Sequence, residues 1–166
     1  LHAAMAENLL INSNDDGSTW TAPVNITPAV GQFSSTYNWN VVAPGPGHSI
    51  QLSNGRLLAP VWMVDTKKLL PRRAHSPSCV GTIYSDDYGK TWQRGTIVAD
   101  STGFIPNPNE SMPVQLSDGS VLLSMRNASR IKQRAFSTSP DGISAWTPAR
   151  YAAELYDPTC MASIVR

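Results

Sequence analysis

Cysteine is nearly missing: the 166 residues hold two, Cys79 and Cys160. Two cysteines so far apart make neither a disulfide framework nor a zinc ligand set, and both are read as buried free thiols. Charge is also scarce, at 15% of the chain, and almost balanced, with a formal net charge of +1. A general nucleic-acid surface needs a basic excess that is absent here, and a hydrophobic content of 41% excludes a disordered chain. The one basic cluster, Lys67, Lys68, Arg72 and Arg73, reads as a solvated loop. No apolar run reaches the ~18 residues of a membrane span. No cofactor motif and no metal-ligand spacing is present, so neither is expected. No signal peptide is recognisable. The chain opens at Leu1 without an initiator Met, so its natural start is expected to lie upstream.

Helical periodicity is weak throughout. The 13 prolines and 11 glycines punctuate short apolar or alternating runs, among them "NLLINS", "NGRLLAPVW", "CVGTIYS", "SVLLSMR", "RAFSTS" and "MASIVR". That pattern is all-β. Two repeats set the architecture. "QLSNGRLL" at 51–58 returns as "QLSDGSVLL" at 115–123, and Asn-Gly or Asp-Gly between apolar runs is a hairpin signal expected to form type I′ turns. "SNDDGSTW" (13–20), "SDDYGKTW" (85–92) and the degenerate "SPDGISAW" (139–146) keep Ser, Asp and Trp at one spacing, with Ile143 where the other two have Gly. In such a box Asp bonds the amides of a tight turn and Trp covers the hairpin. A device repeated three times is a fold signature rather than catalytic machinery.

Hairpin and box alternate, and each pair makes a four-stranded antiparallel unit, a propeller blade. One blade is expected from strands near 47–53, 56–64, 78–85 and 92–98, the next from strands near 111–117, 120–127, 133–139 and 146–152. Residues 7–26 supply the last two strands of a preceding blade and "CMASIVR" the first strand of a following one. The expectation is one domain over 1–166, about three blades of a partial β-propeller truncated at both ends.

A two-residue Asp118-Gly119 turn pairs Ser117 with Ser120. Counted outward, Ser111 then faces Arg126, and Glu110 lies beside Arg126 at the open end of the hairpin. The Asn54-Gly55 turn likewise sets His48 and Trp62 at the open end of its own hairpin. The box turns fall on the opposite rim.

The three boxes, "GPGHSIQL" at 45–52, "NE" at 109–110 and "LSMRN" at 123–127 together resemble the sialidase family, over essentially the whole chain. The resemblance implies a six-bladed propeller that removes terminal sialic acid from glycoconjugates by a retaining mechanism. It implies sialylated glycans as the partner class and a secreted or periplasmic location. Sialic acid carries a carboxylate on its anomeric carbon, which would repel an anionic nucleophile. The family uses a neutral tyrosine instead, outside the two-carboxylate scheme of other glycosidases, with a glutamate to take its proton. Glu110 matches that glutamate, and Arg126 matches one of three arginines that hold the substrate carboxylate. Trp62 matches an aromatic contact to the sugar's glycerol tail, and Asn38 and Trp39 match a loop near the same pocket. The tyrosine, the aspartate acid/base and the other two arginines are not identifiable, and they are expected outside these residues. Met161 stands where several relatives carry a polar pocket residue. The plainer alternatives are a surface ion pair for Glu110 and Arg126, inter-blade packing for Trp62, and a structural His48. At the level of function the alternative is a non-catalytic propeller that binds carbohydrate or protein.

Overall fold

The computed structural model describes residues 7–67 and 76–166. In chain order its strands are β1 (Leu9–Leu10), β2 (Val24–Asn25), β3 (Val41–Pro44), β4 (Ile50–Gln51), β5 (Leu57–Val64), β6 (Ser78–Ser85), β7 (Gln93–Asp100), β8 (Ser111–Gln115), β9 (Val121–Met125), β10 (Gln133–Ser139) and β11 (Arg150–Tyr156). They form three consecutive antiparallel sheets: β1-β2, then β3-β5-β6-β7 with β4 also on β5, then β8-β9-β10-β11. This is the all-β, unclosed, partial propeller that the repeats imply. Helix among the described residues is limited to α1 (Thr27–Gly31) and a 3₁₀ turn at Gln32–Ser35.

β5 is apolar at every position because the second sheet is covered on both sides. Alternate residues divide between two cores. Ala59, Val61 and Met63 join Val30 and Phe33 of the short helical segment. Trp62 and Val64 join Leu123, Met125 and Ala135 of the third sheet. The helical segment was not expected. It sits where its Phe33 ring lies over Gly81 of β6, so close that a Cβ there would come within 2.8 Å of the ring.

The first strand of this blade does not run continuously over 47–53. It is split into β3 and β4, and the break at 45–49 lies opposite Pro60. Residues on β5 turn their N–H and C=O to the same neighbour, and the Pro60 carbonyl accepts the Gly45 amide on that side. Pro60 has no N–H to continue the ladder there, so the strand leaves. As a result His48 is not opposite Trp62. Trp62 faces Ala43, and His48 is exposed on the break, its Nε2 3.1 Å from the Ile164 carbonyl. In the third sheet Pro113 is tolerated because β8 is an edge strand. Pro148 similarly delays the last strand, β11, to Arg150. Residues 160–166 form no strand; the Ile164 amide donates to Met112 Sδ instead. Burial holds for Cys79 only, where desolvation pushes the thiol pKa up, whereas Cys160 is exposed. Lys67 is exposed, and Lys68, Arg72 and Arg73 lie outside the described residues.

Both Gly-containing hairpin turns differ from type I′. Leu116 N–H donates to Ser120 O and Gly119 N–H to Leu116 O, and the same pattern links Leu52, Gly55 and Arg56. Only the glycines are left-handed, Gly55 at φ 91° and Gly119 at φ 88°, while Asn54 and Asp118 are not. These are three-residue loops with a glycine bulge, which shifts the register beyond them by one.

The first two boxes are built alike. Ser13 and Ser85 bond Asp15 and Asp87, whose carboxylates accept the amide and hydroxyl of Thr19 and Thr91. The indoles of Trp20 and Trp92 donate to the Gly17 and Gly89 carbonyls. In the third box Gly142 takes the first left-handed position, Asp141 holds Ile143 and Ser144, and the buried Trp146 indole N–H has no partner among the described residues. The threonine hydroxyls and amides, then the serine hydroxyls, hold Asp15 and Asp87 down from 3.8 to about 2. A folded pKa below the unfolded one contributes stability above the unfolded value and loses it as pH falls through the folded value. Carboxyl ¹³C titration is therefore expected to give midpoints about 2 for these two aspartates, with the box turns intact at pH ~3. Midpoints at the ordinary aspartate value of ~3.9 would mean that the threonine contacts do not hold the turns in solution.

Candidate functional site

β8 and β9 pair with Ser111 opposite Met125. The next step outward sets Glu110 directly opposite Arg126: the Arg126 amide donates to Glu110 O at 2.9 Å and the Asn109 amide to Arg126 O at 3.0 Å. The sequence count, which set Ser111 opposite Arg126, is therefore off by one residue, and the correction brings the acid and the arginine closer. Arg126 Nη1 lies 3.2 Å from Glu110 Oε2, with the two side chains 20% and 22% exposed. The pair is thus half-buried, with part of each side chain still exposed.

Two connecting segments bond Arg126, and a third braces one of them. From residues 107–109, Asn109 Oδ1 accepts Arg126 Nη1 at 3.4 Å and the Glu110 amide at 2.8 Å. From residues 157–160, the Thr159 carbonyl accepts Arg126 Nε at 2.8 Å. From residues 127–132, Lys132 Nζ donates to Thr159 Oγ1. Each segment holds a non-glycine residue at positive φ, Asn107 at 48°, Lys132 at 56° and Thr159 at 69°. For a β-branched residue such as Thr159 that conformation is costly, and such strain gathers where a side chain must be aimed. Among the described residues, Arg126 Nη2 carries no hydrogen bond.

The boxes are at the other rim. Ser85 and Ser139, which open the second and third boxes, pair with Leu57 and Val121 beside the hairpin turns, at the ends of the strands remote from Glu110 and Arg126. No box aspartate contacts Arg126. Of the other matched residues, Trp62 is on β5, and Asn38 and Trp39 are in the connection that leads into β3. Asn38 is exposed at the Val64 end of β5 and donates to Asp65 Oδ2 at 3.0 Å. Trp39 is half-buried against the core on the helical side, and its indole N–H has no partner among the described residues. Trp62 is 7% exposed and packs between the second and third sheets. The structure brings Glu110 and Arg126 into contact, and places the other three at the same end of the neighbouring blade.

Arg134 and Asp157 carried no signal in the sequence. Both are buried, 3% exposed, with Nη1 3.3 Å from Oδ2. A lone Arg in "RAFSTS" and a lone Asp in "LYDPT" show no spacing that would join them. Asn109, which holds both Glu110 and Arg126, lay within the quoted "NE" but was given no role. Among the described residues no group of three His, Cys, Asp or Glu side chains could hold a metal ion, and no helix is long and apolar enough to cross a membrane.

Four-stranded blades with Ser-x-Asp boxes on one rim and a paired acid and arginine on the other define an Asp-box β-propeller. The chain matches the BNR repeat-like domain over residues 2–164, and it belongs to that family. It is 31% identical over 96% of its length to a sialidase of Bacteroides fragilis (strain YCH46) and 32% identical over its whole length to a sialidase of Micromonospora viridifaciens. It spans about a quarter of each, 26% and 23%. Among solved structures it is similar to a Hadza microbial sialidase, with a TM-score of 0.73 and 27% identity, over 93% of this chain and 27% of that one.

Proposed function

We propose that these residues form part of the catalytic face of an exo-α-sialidase whose propeller continues beyond them. In this reading Glu110 is the base that takes the proton of a tyrosine nucleophile, and Arg126 binds the substrate carboxylate. The observation that carries it is the Glu110–Arg126 pair, 3.2 Å apart and partly exposed, at the rim opposite the structural turns. Sialidase relatives at about 31% identity supply the substrate class, terminal sialic acid on glycans.

The chemistry follows from the substrate. A planar guanidinium matches a carboxylate with two parallel hydrogen bonds. Arg126 has Nε and one of the two Nη1 hydrogens bonded to the protein, which fixes the plane of the guanidinium and leaves its Nη2 edge for the substrate. Tyrosine is a weak nucleophile at neutral pH because its proton leaves near pH 10. A carboxylate beside it removes that proton as the bond to the anomeric carbon forms. In this reading the tyrosine, the acid/base aspartate and the two further arginines belong to the part of the propeller beyond these residues. Trp62, at 7% exposure, offers an incoming sugar only a narrow edge.

The test is turnover of a fluorogenic α-sialoside by the full-length protein, with ¹H NMR of the first-formed anomer. Release of the α-anomer is the expected result. Sialoside binding without turnover would reject the enzyme reading and leave a carbohydrate-binding propeller.

A further inference from the structure

Arg134 is a second arginine at the same mouth. β9 and β10 pair with Met125 opposite Ala135, and one further step sets Arg126 opposite Arg134. The Asn127 side-chain bond to Gln133 O, a step beyond, follows the same register. Arg134 Nε donates to Ser124 Oγ at 2.9 Å, so it shares the face of Ser124 and Arg126. Like charges directly opposite on neighbouring strands repel. Here an acid closes each end of the row: Glu110 beside Arg126, and Asp157 beside Arg134. Burial lowers the Arg134 pKa from its ordinary value, and Asp157 opposes that shift.

The Arg134–Asp157 pair ties down one turn. Asp157 Oδ1 accepts the Thr159 amide at 2.7 Å and the Cys160 amide at 3.2 Å. Arg134 Nη1 donates to the Cys160 carbonyl at 2.9 Å. Between those anchors the Thr159 carbonyl, on a left-handed residue, accepts Arg126 Nε. We propose that Arg134 and Asp157 are positioning residues: they hold the Asp157–Cys160 turn so that Thr159 O fixes the plane of the Arg126 guanidinium, and so set affinity for the anionic group that Arg126 binds. This rests on the reading of Arg126 as a substrate-carboxylate ligand.

Removing one member of a buried pair destabilises, whereas replacing both with apolar residues is often tolerated. The variants are therefore Arg134→Lys, Asp157→Asn and the paired Arg134→Met/Asp157→Leu. Each is made in the full-length protein, in the wild-type and the Arg126→Ala backgrounds, and assayed on a fluorogenic sialoside beside a melting curve. Misplacing a positioned group by about 1 Å costs up to ~10²-fold. The expectation is a KM raised ~10-fold with kcat within ~3-fold in the wild-type background, and almost no further rise once Arg126 is gone. If the single variants do not fold, the paired variant supplies the cycle. A folded variant with wild-type KM, or an equal rise in both backgrounds, overturns the positioning role, because a merely structural effect adds independently of Arg126. An unchanged KM for Arg126→Ala by itself overturns the ligand reading beneath it, and the positioning role with it.

Discussion

Glu110→Gln in the full-length protein is expected to lower kcat by ~10²–10⁴-fold, the usual contribution of a general base, with KM little changed. Glutamine keeps the shape and an amide oxygen for the Arg126 contact, now 3.2 Å long. It keeps the backbone pairing with Arg126 and the Asn109 bond to its amide, since neither involves the side chain. What it loses is the ability to accept a proton. A group that acts only as the nucleophile's proton leaves is needed in the transition state and not in the ground state, so its loss falls on kcat. The check is steady-state kinetics on a fluorogenic sialoside, with a melting curve to show that the mouth still folds. Wild-type kcat for a folded Glu110→Gln would leave the acid as no more than one half of an ion pair.

The architecture was legible because its signals are local. The Ser-x-Asp boxes and the hairpin glycines announce turns by residue type alone, and their alternation fixes which end of each strand they occupy. What was misread depended on a neighbour. Asn54-Gly55 and Asp118-Gly119 suit a two-residue turn as well as a three-residue loop. The choice, seen in which residues take a positive φ, moved Glu110 by one position, to stand opposite Arg126. Pro60 announces a missing donor, but only the sheet shows that the donor is missed by the first strand, which breaks there and carries His48 away from Trp62. Trp62 itself is the residue whose burial the sequence left most open: an aromatic beside the mouth serves a sugar or a core equally well, and the third sheet covers it. Arg134 and Asp157 were invisible for a related reason. Each is a single charge among ordinary neighbours, and only the register of β9, β10 and the following turn joins them to Arg126.

Arg126→Ala is expected to act on binding as well as turnover. It removes a charge-assisted contact present in both ground and transition states, so KM rises and kcat/KM falls further. Hydrogen bonds to charged groups contribute ~1.5–3 kcal/mol, which corresponds to a rise in KM of roughly 10- to 150-fold. Arg126→Lys is expected to recover only part of this. An ammonium restores the charge but not the fork, and it cannot at once satisfy Thr159 O, Asn109 Oδ1 and a ligand in one plane, as the guanidinium can. The decisive comparison alters the ligand rather than the protein. A sialic acid analogue and its methyl ester, which lacks the negative charge, are each measured as inhibitors of wild type and of Arg126→Ala. If Arg126 binds the carboxylate, esterification weakens inhibition of the wild type strongly and of the variant much less, because the partner is already gone. Equal losses in the two proteins would remove the carboxylate from the reach of Arg126. The guanidinium would then serve chiefly to hold Glu110, and the anion-binding arginines of the site would lie elsewhere in the propeller.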